Sequence, residues 1–231
     1  ILAVDASGSV NNREFGLQLG GIADAFRTRE IQSAAASGPE GRIAVALMIW
    51  SDAALPKITS SWRLVGDAAS AEAFALEVAS FIPKRGSAFG QSGAGTGIGA
   101  ALEYALTMFP RNGIDAPRRT VDVSGDGIET TPWFQEAMEL PQARALAAAD
   151  GVTVNGLAIL SDDRSLGAYY EAELITGPGA FVIEAATFED FAEAIRRKLL
   201  AEIQVFVGEG PAATTRAAAL SPGREGSDRS D

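Results

Sequence analysis

Histidine and cysteine are both absent from the 231 residues of this chain, so any metal ion must be bound through side-chain oxygen atoms. Three segments place such side chains together: Asp5, Ser7 and Ser9 in Asp-Ala-Ser-Gly-Ser, Thr96 in Gly-Thr-Gly, and Asp126 in Gly-Asp-Gly. Oxygen ligands favour Mg²⁺, Mn²⁺ or Ca²⁺ over zinc and copper. The chemistry these residue types predict is therefore the binding of a hard divalent cation.

The elements that must position these residues follow from the pattern of apolar residues. Short apolar runs alternate with helical periodicity, which is typical of a parallel sheet covered by helices. We predict strands over residues 1–4, 42–50, 119–124, 152–160 and 180–183, with an antiparallel edge strand over residues 55–64. We predict helices over residues 12–29, 67–82, 98–109, 141–149 and 187–203. The expected fold is α/β: a three-layer, doubly wound, Rossmann-like open sheet, mostly parallel with one antiparallel edge strand, and with helices on both faces.

This arrangement brings the three polar segments to one place. Asp5 directly follows the first strand, Asp126 follows the strand over residues 119–124, and Thr96 precedes a helix. Ligands of open parallel sheets bind beyond the carboxyl ends of the strands. We therefore expect all three segments to lie at the same edge of the sheet.

Composition limits the classes of partner. The net charge of −11 argues against nucleic acid or anionic lipid, and 47% hydrophobic residues suffice for a full core. No apolar stretch approaches the roughly 20 residues that span a bilayer. Because Ile1 begins inside an apolar strand, we expect residues to precede it and a signal peptide to have been lost with them. We predict one domain over residues 1–206 and a disordered tail over residues 207–231.

The metal-ligand pattern resembles a known family. Asp5-x-Ser7-x-Ser9, Thr96 and Asp126, in this order among strands and helices, are similar to the von Willebrand factor type A (VWA) domain with its metal-ion-dependent adhesion site. The resemblance covers residues 1–204. Residues 177–184 and 188–200 also resemble a bacterial VWA subfamily of unassigned function, whose members usually carry an export signal. Gly125 departs from the family, which commonly has Ser or Thr directly before the aspartate.

The resemblance implies a role for each residue. Ser7, Ser9 and Thr96 would coordinate the metal through hydroxyls, whereas Asp5 and Asp126 would act mainly through bound waters. One coordination position would stay open for an Asp or Glu carboxylate of a protein partner. The implied protein is an exported interaction module, periplasmic or extracellular, that binds Mg²⁺ or Mn²⁺ ahead of Ca²⁺ and has no catalytic residues. In relatives that signal, the final helix slides when ligand binds.

Other interpretations of the same residues remain open. Serines and threonines also cap helices, and Asp-Gly favours turns. A phosphatase-like hydrolase would use Asp5 as nucleophile and Asp126 as metal ligand, but Ser7 stands where a second acid is usual. A structural module with an empty site is a third alternative. The glycine run over residues 93–99 is not a dinucleotide loop, because no apolar strand precedes it.

Trp133, Phe134 and Glu129 follow Asp126 closely in sequence. Trp133 and Phe134 are expected to pack in the core, with an exposed aromatic rim around the metal as the alternative. Glu129 is expected to be solvated, although it is close enough in sequence to Asp126 to tune the site.

Overall fold

Strands and helices alternate along the chain as the apolar pattern predicts. A computed structural model describes residues 1–82, 95–130 and 137–204. Its strands are β1 (Leu2–Asp5), β2 (Ile43–Val45), β3 (Leu47–Trp50), β4 (Ile58–Thr59), β5 (Arg63–Val65), β6 (Arg119–Gly125), β7 (Val152–Ile159) and β8 (Val182–Ala185). Its α-helices are α1 (Asn12–Arg27), α2 (Arg29–Ser37), α3 (Ala68–Ala79), α4 (Ile98–Met108), α5 (Leu140–Ala149), α6 (Leu166–Tyr169) and α7 (Phe191–Gln204). A π-helical segment (Tyr170–Leu174) follows α6, and a 3₁₀ turn (Phe188–Asp190) precedes α7.

Strand β1 lies inside a six-stranded sheet with the order β4-β3-β1-β6-β7-β8. It pairs in parallel with β3, where Leu2 lies opposite Leu47, and with β6, where Leu2 lies opposite Asp122. Only the β3–β4 pair of this sheet is antiparallel. The predicted fold class, a mostly parallel open sheet with one antiparallel edge strand, is confirmed.

The two faces of the sheet are covered by different helices. Alternate residues of β1 show this: Leu2 and Val4 pack with α1, α2, α3 and α7, whereas Ala3 packs with α4, α5 and α6 on the opposite face. The period of two along each strand sends successive side chains to opposite faces. The three-layer arrangement is therefore built from two apolar clusters, one on each side of the sheet.

Three predicted elements are divided or shortened in the structure. The apolar run over residues 42–50 divides at Ala46, because β2 leaves the main sheet to pair with β5 in a separate two-stranded sheet. The predicted edge strand over residues 55–64 divides in the same way into β4 and β5, and Pro56 lies before β4. The first predicted helix ends at Arg27, since extended Thr28 caps a new helix by accepting a hydrogen bond from the Ile31 N–H.

A buried ionic cluster lies between the sheet and α7. The Lys198 ammonium, with no exposed surface, is 2.6 Å from Asp122 Oδ1 and 2.6 Å from Glu202 Oε1. Asn155 of β7 donates a hydrogen bond to the same Glu202 oxygen at 2.7 Å. Apolar periodicity does not predict this cluster, because each member stands at a position that the pattern assigns to the core.

Several predictions concern residues outside the described ranges. They are the tail over residues 207–231, residues 93 and 94 of the glycine run, and the packing of Trp133 and Phe134. Within the described ranges, no helix is both long enough and apolar enough to cross a membrane.

Candidate functional site

The turn after β1 holds Asp5 at the carboxyl edge of the sheet. The Asp5 side chain is fully buried, and its Oδ1 accepts a hydrogen bond from the Ser7 N–H at 2.6 Å. The Ala6 N–H donates to the Trp50 carbonyl of β3, which keeps the turn against the neighbouring strand. Asn11 then begins α1 with a capping box. The segment from Asp5 to Ser9 is therefore fixed at both of its ends.

Asp126 meets this turn across the sheet edge. The Ser9 hydroxyl donates to Asp126 Oδ1 at 2.7 Å, and the Ser7 and Ser9 hydroxyl oxygens are 3.2 Å apart. Ser7 and Asp126 are buried, whereas Ser9 is exposed. These contacts join two segments that are far apart in sequence, as the strand order predicts.

Thr96 reaches the same place from the loop before α4. Its Oγ1 lies 3.4 Å from the point that a Cβ would occupy on Gly127, the residue after Asp126. The Thr96 N–H donates to Thr130 Oγ1 at 2.8 Å, and the Thr130 N–H donates to the Thr96 carbonyl at 2.9 Å. Asp5, Ser7, Ser9 and Asp126 thus form one group, and Thr96 lies beside the residue that follows Asp126.

Glu129 has a role that sequence reasoning missed. The N-cap residue of α4 is Gly97, which offers no side chain for capping. The Glu129 carboxylate takes the place of a side-chain cap. It accepts hydrogen bonds from the Ile98 N–H at 2.5 Å and from the Gly99 N–H at 3.1 Å. It is half-buried rather than solvated, and burial raises its pKa to about 7 against the lowering effect of the two N–H groups. A helix that starts on glycine was the available signal, since such a start needs a cap from elsewhere.

Asp52 is a second group that the sequence did not indicate. Its Oδ2 accepts a hydrogen bond from the Gly95 N–H at 2.8 Å, and the Ser51 carbonyl accepts one from the Gly97 N–H at 3.0 Å. The residues after β3 therefore hold the Thr96 loop from one side, while Glu129 and Thr130 hold it from the other.

The site concentrates negative charge in a buried place. Burial, reinforced by the nearby charge of Asp126, raises the pKa of Asp5 to about 7, while the Ser7 and Asp126 N–H groups oppose the shift. Burial likewise raises the pKa of Asp126. The hydrogen bond from the Ser9 hydroxyl opposes this shift, and the charges of Asp162 and Glu14 reinforce it. Two buried carboxylates in one site are costly unless a positive charge accompanies them.

The donor set fits a hard divalent cation. Asp5 Oδ2 is buried without a hydrogen-bond partner in the described part of the chain, so one carboxylate oxygen remains for a ligand. Three hydroxyls and two carboxylates are oxygen ligands of the kind that Mg²⁺ and Mn²⁺ accept. The described residues contain no cluster of three or more His, Cys, Asp or Glu side chains. Any ion here would therefore depend on the hydroxyls as well as on the carboxylates.

Comparison with known proteins gives a family and a fold. The sequence profile described as "Protein of unknown function (DUF1194)" matches residues 1–207. No curated protein matches the chain. Among solved structures, the vWF domain of the type V pili tip protein Mfa5 from Porphyromonas gingivalis is similar with a TM-score of 0.58 and 10% identity, over 92% of this chain and 96% of that one.

Proximal thread matrix protein 1 from the mussel byssus is also similar, with a TM-score of 0.54 and 14% identity. The match covers 88% of this chain and 46% of the mussel protein, so the chain spans about half the length of that relative. At these identities the likeness concerns the fold. The fold is that of a VWA domain, as the sequence resemblance implied.

Proposed function

The chain belongs to the DUF1194 family of proteins of unknown function, and we propose that it is a protein-binding module whose binding depends on a divalent cation. Ser7, Ser9 and Thr96 would hold the ion through their hydroxyls, and Asp5 and Asp126 would supply negative charge around it. Mg²⁺ or Mn²⁺ suits this set of ligands better than Ca²⁺. When bound, the ion would supply a positive centre that attracts a carboxylate.

The observation that carries the proposal is the contact between Ser9 and Asp126. A hydroxyl from the turn after β1 and a carboxylate from the end of β6 approach to 2.7 Å. Beside them, Asp5 Oδ2 is buried and has no hydrogen-bond partner among residues 1–82, 95–130 and 137–204. Buried polar atoms are nearly always hydrogen-bonded, so this oxygen calls for an explanation, and a bound ion provides one.

The surroundings of the site make a cation necessary for an acidic ligand. Glu14 and Asp162 add negative charge near Asp126. They would repel an incoming carboxylate unless the site carried a positive ion. Gly8 and Ser9 are exposed, so a partner can approach from solvent. We therefore propose an Asp or Glu side chain of another protein as the ligand.

The structural neighbours support an interaction role outside the cytoplasm. One is a domain of a pilus tip protein and the other is a matrix protein of the mussel byssus. A pilus and a byssus both lie outside the cell. We propose by analogy that this chain also acts in the periplasm or outside the cell.

Calorimetric titration with Mg²⁺ tests the metal site. The unaltered chain should bind one ion, and Ser9→Ala and Asp5→Ala should abolish binding while circular dichroism shows an intact fold. Ser80→Ala is the matched control, since its exposed hydroxyl at the end of α3 donates to the Glu77 carbonyl of the same helix. Undiminished Mg²⁺ affinity in Ser9→Ala would contradict the assignment. A chain that binds no Mg²⁺, Mn²⁺ or Ca²⁺ would instead be a structural module.

The hydrolase alternative needs a cation to neutralise a transferred phosphoryl group, and Lys57 is not placed to supply it. This lysine donates to the carbonyls of Asp52, Ala53 and Leu55, so its ammonium is engaged by its own loop. Asp5, the nucleophile of that alternative, is fully buried and bound to the Ser7 N–H. Hydrolysis of p-nitrophenyl phosphate with Mg²⁺, lost in Asp5→Asn, would nevertheless establish an enzyme.

A further inference from the structure

Lys57 binds the backbone of the turn that follows β3. Its ammonium donates hydrogen bonds to three carbonyls of residues 52–55: to Asp52 at 3.0 Å, to Ala53 at 3.2 Å and to Leu55 at 2.9 Å. An ammonium has three N–H donors, so these carbonyls use all of them. The side chain is half-buried. The ammonium is therefore a fixed cation at the centre of this turn.

The same turn contacts the chain on both sides of Thr96. On one side, Asp52 Oδ2 accepts a hydrogen bond from the Gly95 N–H at 2.8 Å. On the other side, a Cβ on Gly97 would lie 2.5 Å from the Ala53 nitrogen and 2.8 Å from the Ala53 Cα, so only glycine allows this close approach. Asp52 and Ala53 are also two of the residues whose carbonyls bind the ammonium. Thr96 is thus placed by residues that the ammonium holds.

The positive charge of Lys57 gives the turn its strength. Hydrogen bonds from a charged donor are about twice as strong as those between neutral groups. Burial lowers the pKa of Lys57, while the negative charges of Asp52, Glu103 and Glu129 oppose this shift and favour the ammonium form. The turn lies between β3 and β4, outside the sheet. Its shape therefore depends on the ammonium more than on strand pairing.

We propose that Lys57 is a positioning residue of the metal site, whose ammonium fixes the turn over residues 52–55 and, through that turn, the Thr96 hydroxyl. Without the ammonium, the three carbonyls turn to solvent and the contacts with Gly95 and Gly97 loosen. Thr96 then meets the ion less often in the geometry that binding needs. The inference rests on the proposed metal-binding function and assigns to that site a group outside the five-residue pattern.

Lys57→Ala tests the inference, because the missing atoms can be supplied from solution. We expect calorimetric Mg²⁺ affinity to fall about tenfold, the range found for groups that orient metal ligands. Loss of a positive charge alone would strengthen the binding of a cation, so the two effects have opposite signs. Propylammonium chloride supplies the atoms from Cγ to Nζ and should restore much of the affinity. Tetramethylammonium chloride at the same ionic strength has the charge but no N–H group, and it should restore none.

Two variants serve as controls. Arg111→Ala also removes a positive charge, but Arg111 is exposed in the loop before β6, at the opposite edge of the sheet from the site, so Mg²⁺ affinity should not change. Asp52→Ala removes the acceptor of the Gly95 N–H. Its affinity should fall, and propylammonium should not restore it. The melting temperature of Lys57→Ala in EDTA should fall by no more than about 4 °C, since the turn lies outside the core.

Lys57→Met keeps the apolar part of the side chain and removes only the ammonium, so it should lose Mg²⁺ affinity as Lys57→Ala does. Unchanged or higher affinity in either variant would overturn the inference. A loss in Lys57→Ala that propylammonium does not restore, or that tetramethylammonium restores equally well, would also overturn it. Absence of Mg²⁺ binding by the unaltered chain would overturn the proposed function and this inference with it.

Discussion

Thr96 and Thr130 are joined by hydrogen bonds that run in both directions. The Thr96 N–H donates to the Thr130 hydroxyl at 2.8 Å, and the Thr130 N–H donates to the Thr96 carbonyl at 2.9 Å. The pair connects the loop after β6 to the loop before α4. Because Asp126 and Thr96 stand in these two loops, the connection sets the distance between two proposed ligands.

Thr130→Val should weaken metal binding without unfolding the protein. Valine has nearly the same shape but cannot accept the hydrogen bond from the Thr96 N–H or donate one to the Thr96 carbonyl, so the Thr96 loop is held less firmly. We expect calorimetric Mg²⁺ affinity to fall about tenfold, the range found for groups that orient metal ligands. Thr107→Val on α4 is the control, since its hydroxyl donates to the Tyr104 carbonyl of its own helix. Equal affinity in the two variants would refute the role of Thr130.

Asp5→Asn should change stability and metal binding in opposite directions. In the absence of a cation, Asp5 and Asp126 are two buried acids whose charges oppose each other. Removing one charge relieves that repulsion, and asparagine can still accept the hydrogen bond from the Ser7 N–H. We expect the melting temperature in EDTA to rise by about 2–4 °C, which corresponds to roughly 1 kcal/mol for a chain of this size.

The same variant should lose its stabilisation by Mg²⁺. Binding to the folded state raises the melting temperature of the unaltered chain, but Asp5→Asn should melt at one temperature with Mg²⁺ and with EDTA. Calorimetric melting in both solutions provides the measurement. A lower melting temperature in EDTA would show that Asp5 stabilises the metal-free fold.

The buried cluster around Lys198 should give the fold a pH dependence. Burial, reinforced by the charge of Glu202 and opposed by the charge of Lys198, raises the pKa of Asp122 to about 7. Asp122 therefore keeps its proton to higher pH in the folded chain than in the unfolded chain. Stability linked to this proton is present below about pH 4 and is lost as the pH rises to about 7.

Asp122→Asn removes this titration. Urea unfolding in EDTA between pH 4 and 8 should show a smaller loss of unfolding free energy in the variant than in the unaltered chain. The difference should be at least about 1 kcal/mol, because one pKa unit corresponds to about 1.4 kcal/mol. Asp5 and Glu129 titrate in both proteins, so their effects cancel in the comparison. Parallel pH profiles would contradict the assigned origin of the dependence.

The placement of the five candidate ligands could be predicted from sequence because each stands at the boundary of an element. Asp5 and Asp126 follow apolar runs, and Thr96 precedes a periodic helix. In a parallel sheet those boundaries fall on one edge. The order of the elements was therefore sufficient to bring them together, although it says nothing about the ion itself.

The groups that support those residues could not be predicted in the same way. Glu129 and Asp52 accept hydrogen bonds from a segment that is distant from them in sequence, and no periodicity marks either residue. The π-helical segment (Tyr170–Leu174) looks like an ordinary helix in the sequence. Likewise, residues 42–50 are apolar throughout, so the pattern does not reveal that β2 belongs to another sheet.

The central position of β1 has a consequence for the order of folding. A ribosome makes β1 before both strands that flank it, since Leu2 lies opposite Leu47 on one side and Asp122 on the other. Such long-range parallel pairing is slow to form and leaves apolar strands exposed to aggregation in the meantime. Asp5 can face Asp126 only after the second pairing is complete. Ion binding should therefore report the last stages of folding, and added Mg²⁺ should slow unfolding rather than accelerate collapse.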